Sequence, residues 1–451
     1  MRISRIALKN FRNFADLSVS FENDPHLAAI TGKNSSGKTG ILDAIALALE
    51  SYLAGFSPEG GDRSGGLCDE DVRLQMISSG GGTVVEKQYP AVIVATACVH
   101  DATGDDQPVT WQSQILAPDS GEQQIPQISP IRERAASLRH LIVHSRETQV
   151  ILPVVAYYRT GRLCRHNPEK GPFFEGGSTS DRLQSYSGCL NASLDEESFL
   201  AWFREMSLSE EEKMSLPLLH AVSNAMVRCC AGIPVQEDHA PGAAPWIRYM
   251  KDTGEVEIVC SRDGGEMRMP FRMLGGGSKA AALLAADIAC RMIRLNPSLG
   301  DAATRETCGV VLIDEIEQHL HPEAQKSILE DLRELFPKVQ FIVTTNSPFV
   351  VTNIESGNIV SIAGRNAYSP NCIVFGRDAD NLLDVLMDTD VRPDKIADLE
   401  EKFYDSVDDE LRDRAEKYLC DLKELLDEEH PVYIKARIAF DLNFDLGEDR
   451  E

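Results

Sequence analysis

Gly32, Gly37, Lys38 and Thr39 keep the spacing Gly-x4-Gly-Lys-Thr within Gly32-Lys33-Asn34-Ser35-Ser36-Gly37-Lys38-Thr39-Gly40. These residue types suit a phosphate chain. Glycines let successive backbone amides turn inward as an anion nest at a helix start, the Lys38 ammonium reaches β- and γ-phosphates, and the Thr39 hydroxyl can join a Mg²⁺ shell. Asp314-Glu315 follows the apolar residues Val310-Val311-Leu312-Ile313. One carboxylate at such a strand end can hold the metal while its neighbour orients or deprotonates a water, so Asp314 is assigned to Mg²⁺ and Glu315 to the water. The chemistry implied is that of a nucleoside triphosphate, with ATP and Mg²⁺ as the expected ligands.

Such groups work only if the surrounding elements converge. Ile3, Ile6, Leu8, Phe11 and Phe14, then Leu17, Val19 and Phe21, alternate as two antiparallel strands, and Leu27 to Ile30 reads as a buried strand. The glycine loop therefore sits between a strand and the apolar helix Ile41 to Leu49. Ile151 to Tyr158, Val310 to Ile313 and Phe341 to Val343 are further buried strands, the last running into Thr344-Thr345-Asn346. Polar residues at the carboxyl ends of buried strands fit a mainly parallel sheet, where ligands bind at that edge. The segment 57–145 is rich in Gly, Ser and Asp and is expected to be sheet and loops, with strands near Ala91 to Val99 and Val109 to Leu116. Helices are predicted at Asp195 to Met206, Leu216 to Cys230 and Ala280 to Leu295, and a hairpin around Asp252-Thr253-Gly254.

The chain has 451 residues and a formal charge of −26, and 43% of its residues are hydrophobic. This length predicts two to three domains, and the composition excludes collagen-like or wholly disordered character. Acidity on this scale restricts any contact with nucleic acid to local basic patches. Residues beyond Gly376 hold 25 Asp and Glu against 11 Lys and Arg, so −14 of the total lies there. Leu411, Ala415, Tyr418, Leu419, Leu422 and Leu426 follow helical spacing, which predicts an acidic helical module at 377–451 beside a head at 1–376. The start of the chain does not read as a signal peptide and no run of 18 apolar residues occurs, so a cytoplasmic protein without a membrane partner is expected. The 11 cysteines lack C-x-x-C pairs and read as reduced, mostly core thiols. His319 and His321 read as structural rather than as a zinc pair.

The stretch Asp314-Glu315 with Leu320-His321-Pro322, Leu274-Gly275-Gly276-Gly277-Ser278 opening a helix, and Thr344-Thr345-Asn346-Ser347-Pro348 resemble the Walker B and D-loop, the signature and the switch segment of ABC-type ATPase heads shared by the RecF, SMC and OLD families. Residues 3–14 (ISRIALKNFRNF), 152–163 (LPVVAYYRTGRL), 180–190 (SDRLQSYSGCL), 199–203 (FLAWF), 375–380 (FGRDAD) and Arg392-Pro393 are more similar to the ATPase subunit of Septu-type anti-phage systems. The resemblance implies an α/β ABC-ATPase head: a mainly parallel sheet flanked by helices, an antiparallel N-terminal sheet, a variable region at 57–145, a helical insertion at 180–235 and the acidic C-terminal module.

It also implies nucleotide contacts from Arg12, Asn13, Lys33, Asn34, Ser35, Ser36, Gly37, Lys38, Thr39 and Gly40, and from Gly275, Gly276, Gly277 and Ser278 of a second copy, with Glu315 and Asn346 as the catalytic pair. Implied partners are a second or further copy of the chain and an HNH nuclease subunit, with nucleic acid reached through that complex. Two residues depart from the family pattern: Gly275 replaces the signature serine and Asn346 the switch histidine. Loss of an aligned donor to a developing oxyanion costs about 10²- to 10³-fold in rate, so tight binding with slow hydrolysis is expected. Competing implications are a RecF-like repair ATPase that binds DNA directly, and an OLD-like ATPase with its own nuclease. Asp388-Thr389-Asp390 has the spacing of such a nuclease but follows a helix-like run, so an intrinsic nuclease is not expected. Tyr157-Tyr158-Arg159 could stack on a base but reads first as core and rim.

Overall fold

The computed structural model describes residues 1–21, 24, 26–56, 66–79, 82–100, 106–118, 130–144, 150–163, 182–208, 215–230, 246–262, 265–354, 358–368, 374–376, 394–426, 428 and 430–445. The chain divides into two compact units, Met1–Met387 and Asp388–Glu451.

In the first unit, β1 (Arg2–Phe11) and β2 (Phe14–Ser20) form the N-terminal hairpin, then β3 (Leu27–Gly32) leads through the glycine loop into α1 (Lys38–Leu53). There follow the ribbon β4 (Leu74–Ser79) and β5 (Gly82–Lys87), β6 (Ala91–His100), β7 (Asp106–Ile115), α2 (Pro130–His144) and β8 (Val154–Tyr158). Next come α3 (Glu196–Leu208), α4 (Ser215–Cys229), the meander β9 (Trp246–Met250), β10 (Glu255–Arg262) and β11 (Gly265–Pro270), and α5 (Gly276–Leu295). The unit continues with α6 (Ala303–Glu306), β12 (Gly309–Ile313), α7 (Pro322–Leu335), β13 (Val339–Thr344), α8 (Pro348–Val351), β14 (Asn358–Ala363) and β15 (Asn366–Tyr368).

The central sheet runs β15-β14-β3-β13-β12-β8, parallel except for β15. Every residue of β3, β8, β12 and β13 is buried, as strands covered on both faces must be, which is why they read as continuous apolar runs. The antiparallel sheet runs β2-β1-β6-β7, and there Ile3, Ile6, Leu8 and Phe11 turn inward while Arg5 and Lys9 face out. The fold is thus α/β, with a mainly parallel sheet and an antiparallel N-terminal sheet. Between them lies α1, whose Ile41, Leu42, Ile45 and Leu49 are all buried.

Several sequence expectations need correction. Residues 57–145 are not only sheet and loops, because α2 forms there on the helical spacing Ile131, Ala135 and Leu138, all buried. The segment Lys38–Phe56 is, by length and composition, apolar enough to cross a membrane, although no run of 18 apolar residues occurs; 67% of its apolar window is buried inside the fold. Helix α5 begins at Gly276, earlier than Ala280, so the glycine run forms its first turn. The expected boundary after Gly376 adjoins 377–393, which lie outside the described residues, as do Asp388-Thr389-Asp390, Arg392-Pro393 and the end of the 375–380 motif.

In the second unit α9 (Asp394–Asp408), α10 (Arg412–Leu425) and α11 (Pro431–Phe440) enclose a small core of Phe403, Val407, Ala415, Leu419, Leu422, Tyr433, Ala436 and Phe440. Acidic residues occupy the outer faces, as amphipathic helices require.

Candidate nucleotide site

The cleft is built from the loop upward. At Gly37 φ is 103° and an added Cβ would stand 2.6 Å from the Phe14 ring, so glycine is required twice over. At Gly32 φ is 147° and a Cβ would meet the Ile362 carbonyl oxygen at 2.5 Å. The Lys38 Nζ bridges the carbonyls of Gly32 (2.6 Å) and Lys33 (2.9 Å), curling the loop around its own lysine. Ser36 Oγ is buried without a hydrogen-bond partner among the described residues, which leaves a donor suited to an anion.

Parallel pairing of β3, β13 and β12 brings the carboxyl ends of these strands together. Thr39 Oγ1 lies 3.0 and 3.2 Å from the two carboxylate oxygens of Asp314. Thr344 links this carboxylate to its neighbour: its hydroxyl donates to Asp314 Oδ1 (2.5 Å) and accepts from the Glu315 amide (2.8 Å). Glu315 holds φ at 48°, the left-handed region, at the turn where the strand ends. The Asn346 amide donates to Glu317 Oε1 at 2.7 Å. Burial, with Asp314 and Glu317 nearby, raises the Glu315 carboxyl above its ordinary value, against the opposing pull of Lys38 and Arg162. Burial lowers the Lys38 ammonium, opposed by Glu317, Glu315 and Asp314.

The result is a cleft of about 300 Å³ lined by Arg12, Asn13, Phe14, Asn34, Ser35, Ser36, Gly37, Lys38, Thr39, Gly40, Asp314, Glu315 and Asn346. Of the residues singled out from sequence, Lys33 turns its carbonyl to Lys38 and to the Ser36 amide and does not line the cleft. Gly275, Gly276, Gly277 and Ser278 do not line it either. Gly275 and Gly276 have open space where a side chain would be, whereas Gly277 packs on the His319 carbonyl. Thr39 and Asp314 form a hard-oxygen pair that fits Mg²⁺, which keeps most of its shell for water and phosphate.

Tyr157 and Tyr158 are fully buried, so neither offers a face to a base. Their hydroxyls donate to Asp43 Oδ1 (3.0 Å) and Asp287 Oδ2 (2.5 Å) instead. His321 is spent on capping α7, its Nδ1 accepting from the Glu323 amide. Among the described residues Cys189, Cys229, Cys230 and Cys290 are buried, Cys98 and Cys308 are half-buried, and Cys68 and Cys420 are exposed; burial raises Cys229 and pushes Cys189 and Cys230 up to about 12.

Sequence reasoning assigned no role to four groups around the cleft. Asp43, on the buried side of α1, accepts from Arg12, Arg159 (2.8 Å) and Tyr157 together. Asp71 holds Arg12 Nε at 2.9 Å. Thr344 bridges Asp314 and Glu315, and Arg162 reaches the same turn. An acidic residue inside an apolar helix was the available signal for Asp43. No spacing marks the other three.

A profile described as "AAA domain" matches residues 5–216, and one described as "AAA domain, putative AbiEii toxin, Type IV TA system" matches 263–352. The "Retron Vc95 probable ATPase" of Vibrio cholerae serotype O1 biovar El Tor is 24% identical over 437 residues, covering 87% of this chain and 80% of the relative. The "Septu protein PtuA" of Bacillus thuringiensis is 26% identical over 106 residues, 24% of this chain and 26% of that protein. Among solved structures, the SMC head domain from Thermotoga maritima covers 82% of this chain and 100% of that one at 14% identity and a TM-score of 0.41, too distant to bear on function. Given the phosphate loop, the strand-end carboxylates and these matches, the chain carries AAA-domain sequence at 5–216 and 263–352 and resembles ABC-type ATPases such as the Septu protein PtuA.

Proposed function

We propose that this chain binds MgATP in the cleft, hydrolyses it slowly across sites shared between two or more copies, and controls an HNH nuclease partner in anti-phage defence in the cytoplasm. The observation that carries the reading is the convergence of Lys38, Thr39, Asp314, Glu315 and Asn346 on one cleft from three separate segments. In this reading the loop amides and Lys38 bind the β- and γ-phosphates, and Arg12 and Asn13 close the rim. Thr39 and Asp314 would hold Mg²⁺, which when bound neutralises phosphate charge. Glu315 takes the proton of the attacking water, a role favoured by its raised pKa.

The signature turn lies outside the cleft and its Gly275 and Gly276 face open space, which supports its use on the nucleotide of a second copy. Gly275 there supplies an amide in place of a hydroxyl, and Asn346 supplies an amide where a histidine could carry charge. Slow turnover follows, so ATP acts chiefly as a ligand that holds a conformation. The acidic second unit suits a basic, nucleic-acid-binding partner through charge complementarity, which would bring nucleic acid to the complex indirectly.

Single-turnover hydrolysis, measured with ATP binding for the wild type and Glu315→Gln, tests the core of this reading. The wild type is expected to bind ATP and turn over well below ~10 s⁻¹, and Glu315→Gln to bind without hydrolysis. Absence of ATP binding, or fast turnover, refutes it. Deleting the residues after Gly376 is expected to abolish co-purification with the nuclease while ATP binding persists; unchanged co-purification refutes the docking role.

A further inference from the structure

Arg162 stands four residues beyond the end of β8 and is 3% exposed. Its guanidinium meets no carboxylate among the described residues within ion-pair distance; it donates to backbone carbonyls instead. Nη1 donates to the Asp314 carbonyl at 2.6 Å and Nη2 to the Glu315 carbonyl at 3.0 Å. The backbone of Arg162 is itself pinned, its amide donating to the Arg159 carbonyl (3.0 Å) and its carbonyl accepting from the Leu194 amide (2.6 Å) just before α3.

A buried guanidinium is costly, and burial lowers its pKa here. What it holds is a strained turn. Glu315 sits at φ 48°, the left-handed region, which a residue with a side chain keeps only where its surroundings enforce it. The Glu315 peptide is gripped from both sides: Thr344 Oγ1 takes its amide hydrogen while Arg162 and the Gln318 amide donate to its carbonyl. The planar fork of arginine spans two successive carbonyls, which the single ammonium of lysine cannot match.

We infer that Arg162 is a positioning residue: it clamps the Asp314–Glu315 turn so that the Glu315 carboxylate is presented to the cleft. The inference rests on the hydrolytic role proposed for Glu315. A displacement of about 1 Å at such a group costs on the order of 10²-fold in rate. Arg162→Met is therefore expected to slow single-turnover hydrolysis about 10²-fold while ATP affinity stays within about twofold. Arg162→Lys, which keeps the charge and one donor, should recover part of the rate.

Amide hydrogen exchange over residues 314–318 provides a readout independent of chemistry: it should accelerate in Arg162→Met and less so in Arg162→Lys. If the wild type does not hydrolyse ATP, the catalytic reading fails, and the exchange data still decide whether Arg162 holds the turn. Unchanged exchange at 314–318, or a rate loss matched by an equal loss of ATP affinity, overturns the inference. Should Arg162→Met fail to fold by circular dichroism, Arg162→Lys decides alone, and wild-type exchange and rate in that variant overturn it.

Discussion

Thr39 and Asp314 are 275 residues apart in the chain, yet the Thr39 hydroxyl lies 3.0 Å from the Asp314 carboxylate. Thr39 lies in the first turn of α1 and Asp314 directly follows β12, and they meet because β13 brings β12 alongside β3. A hydroxyl and a carboxylate at this distance frame a position for a small hard cation. Thr39→Ala should weaken Mg²⁺-dependent ATP binding about 10- to 10²-fold, the range expected for one charge-assisted contact, and leave binding in excess chelator nearly unchanged. Nucleotide titrations with and without Mg²⁺ check this, and equal losses in both conditions would show that Thr39 serves the loop rather than the metal.

The signature turn separates two glycines by their surroundings. A Cβ on Gly277 would lie 2.3 Å from the His319 carbonyl oxygen, so Gly277→Ala forces the turn away from the segment after Glu315 and should destabilise the fold by about 1–3 kcal/mol. Gly275 has open space and ordinary dihedrals (φ −59°, ψ 148°) at the start of α5, where serine is a favoured cap. Gly275→Ser should therefore fold as well as the wild type. Combined with Asn346→His it should raise steady-state hydrolysis by about 10²-fold, by returning two donors. Thermal unfolding and turnover assays read the two outcomes separately.

Glu50 gives the fold a pH dependence. Burial, with Asp71 nearby, raises its carboxyl from 4.5 to about 7, against the pull of Arg159, and its Oε2 is buried without a hydrogen-bond partner among the described residues. Below about pH 4.5 both folded and unfolded chains hold this proton. Between 4.5 and about 7 the unfolded chain releases it while the folded chain keeps it, so stability falls as pH rises through this window and stays lower above it. Glu50→Gln should remove this contribution and be more stable than the wild type at pH 8. Denaturant titrations at pH 5.5 and 8 test the sign; a mutant with the wild-type slope would assign the dependence elsewhere.

Periodicity and turn chemistry are local properties, and they served well where the local signal is pure. The N-terminal hairpin, the strand before the glycine loop, the hairpin at Gly254 and the helices near 196–208 and 215–229 were legible for that reason. Helix α2 was hidden although Ile131, Ala135 and Leu138 have helical spacing, because the surrounding Gly-, Ser- and Asp-rich sequence outweighed a single 15-residue segment. Tyr157 and Tyr158 looked ambiguous because an aromatic pair at a strand end can be core or contact surface. Their burial depends on α1 and α5, which supply Asp43 and Asp287 as acceptors.

The sequence by itself determined the reactive inventory: an anion nest at a helix start, a lysine and a threonine at its end, a carboxylate pair after an apolar strand. These are consequences of residue type and of backbone geometry over a few positions. Only the tertiary structure decided which of them meet. Strand order is encoded in no local pattern, and the order β3-β13-β12-β8 is what sets Asp314 on Thr39, brings Asn346 to the same cleft as Glu315, and leaves the signature glycines outside it. The same long-range packing aims Arg162 at two carbonyls 152 and 153 residues away, contacts between a side chain and the main chain that no spacing of residue types could announce.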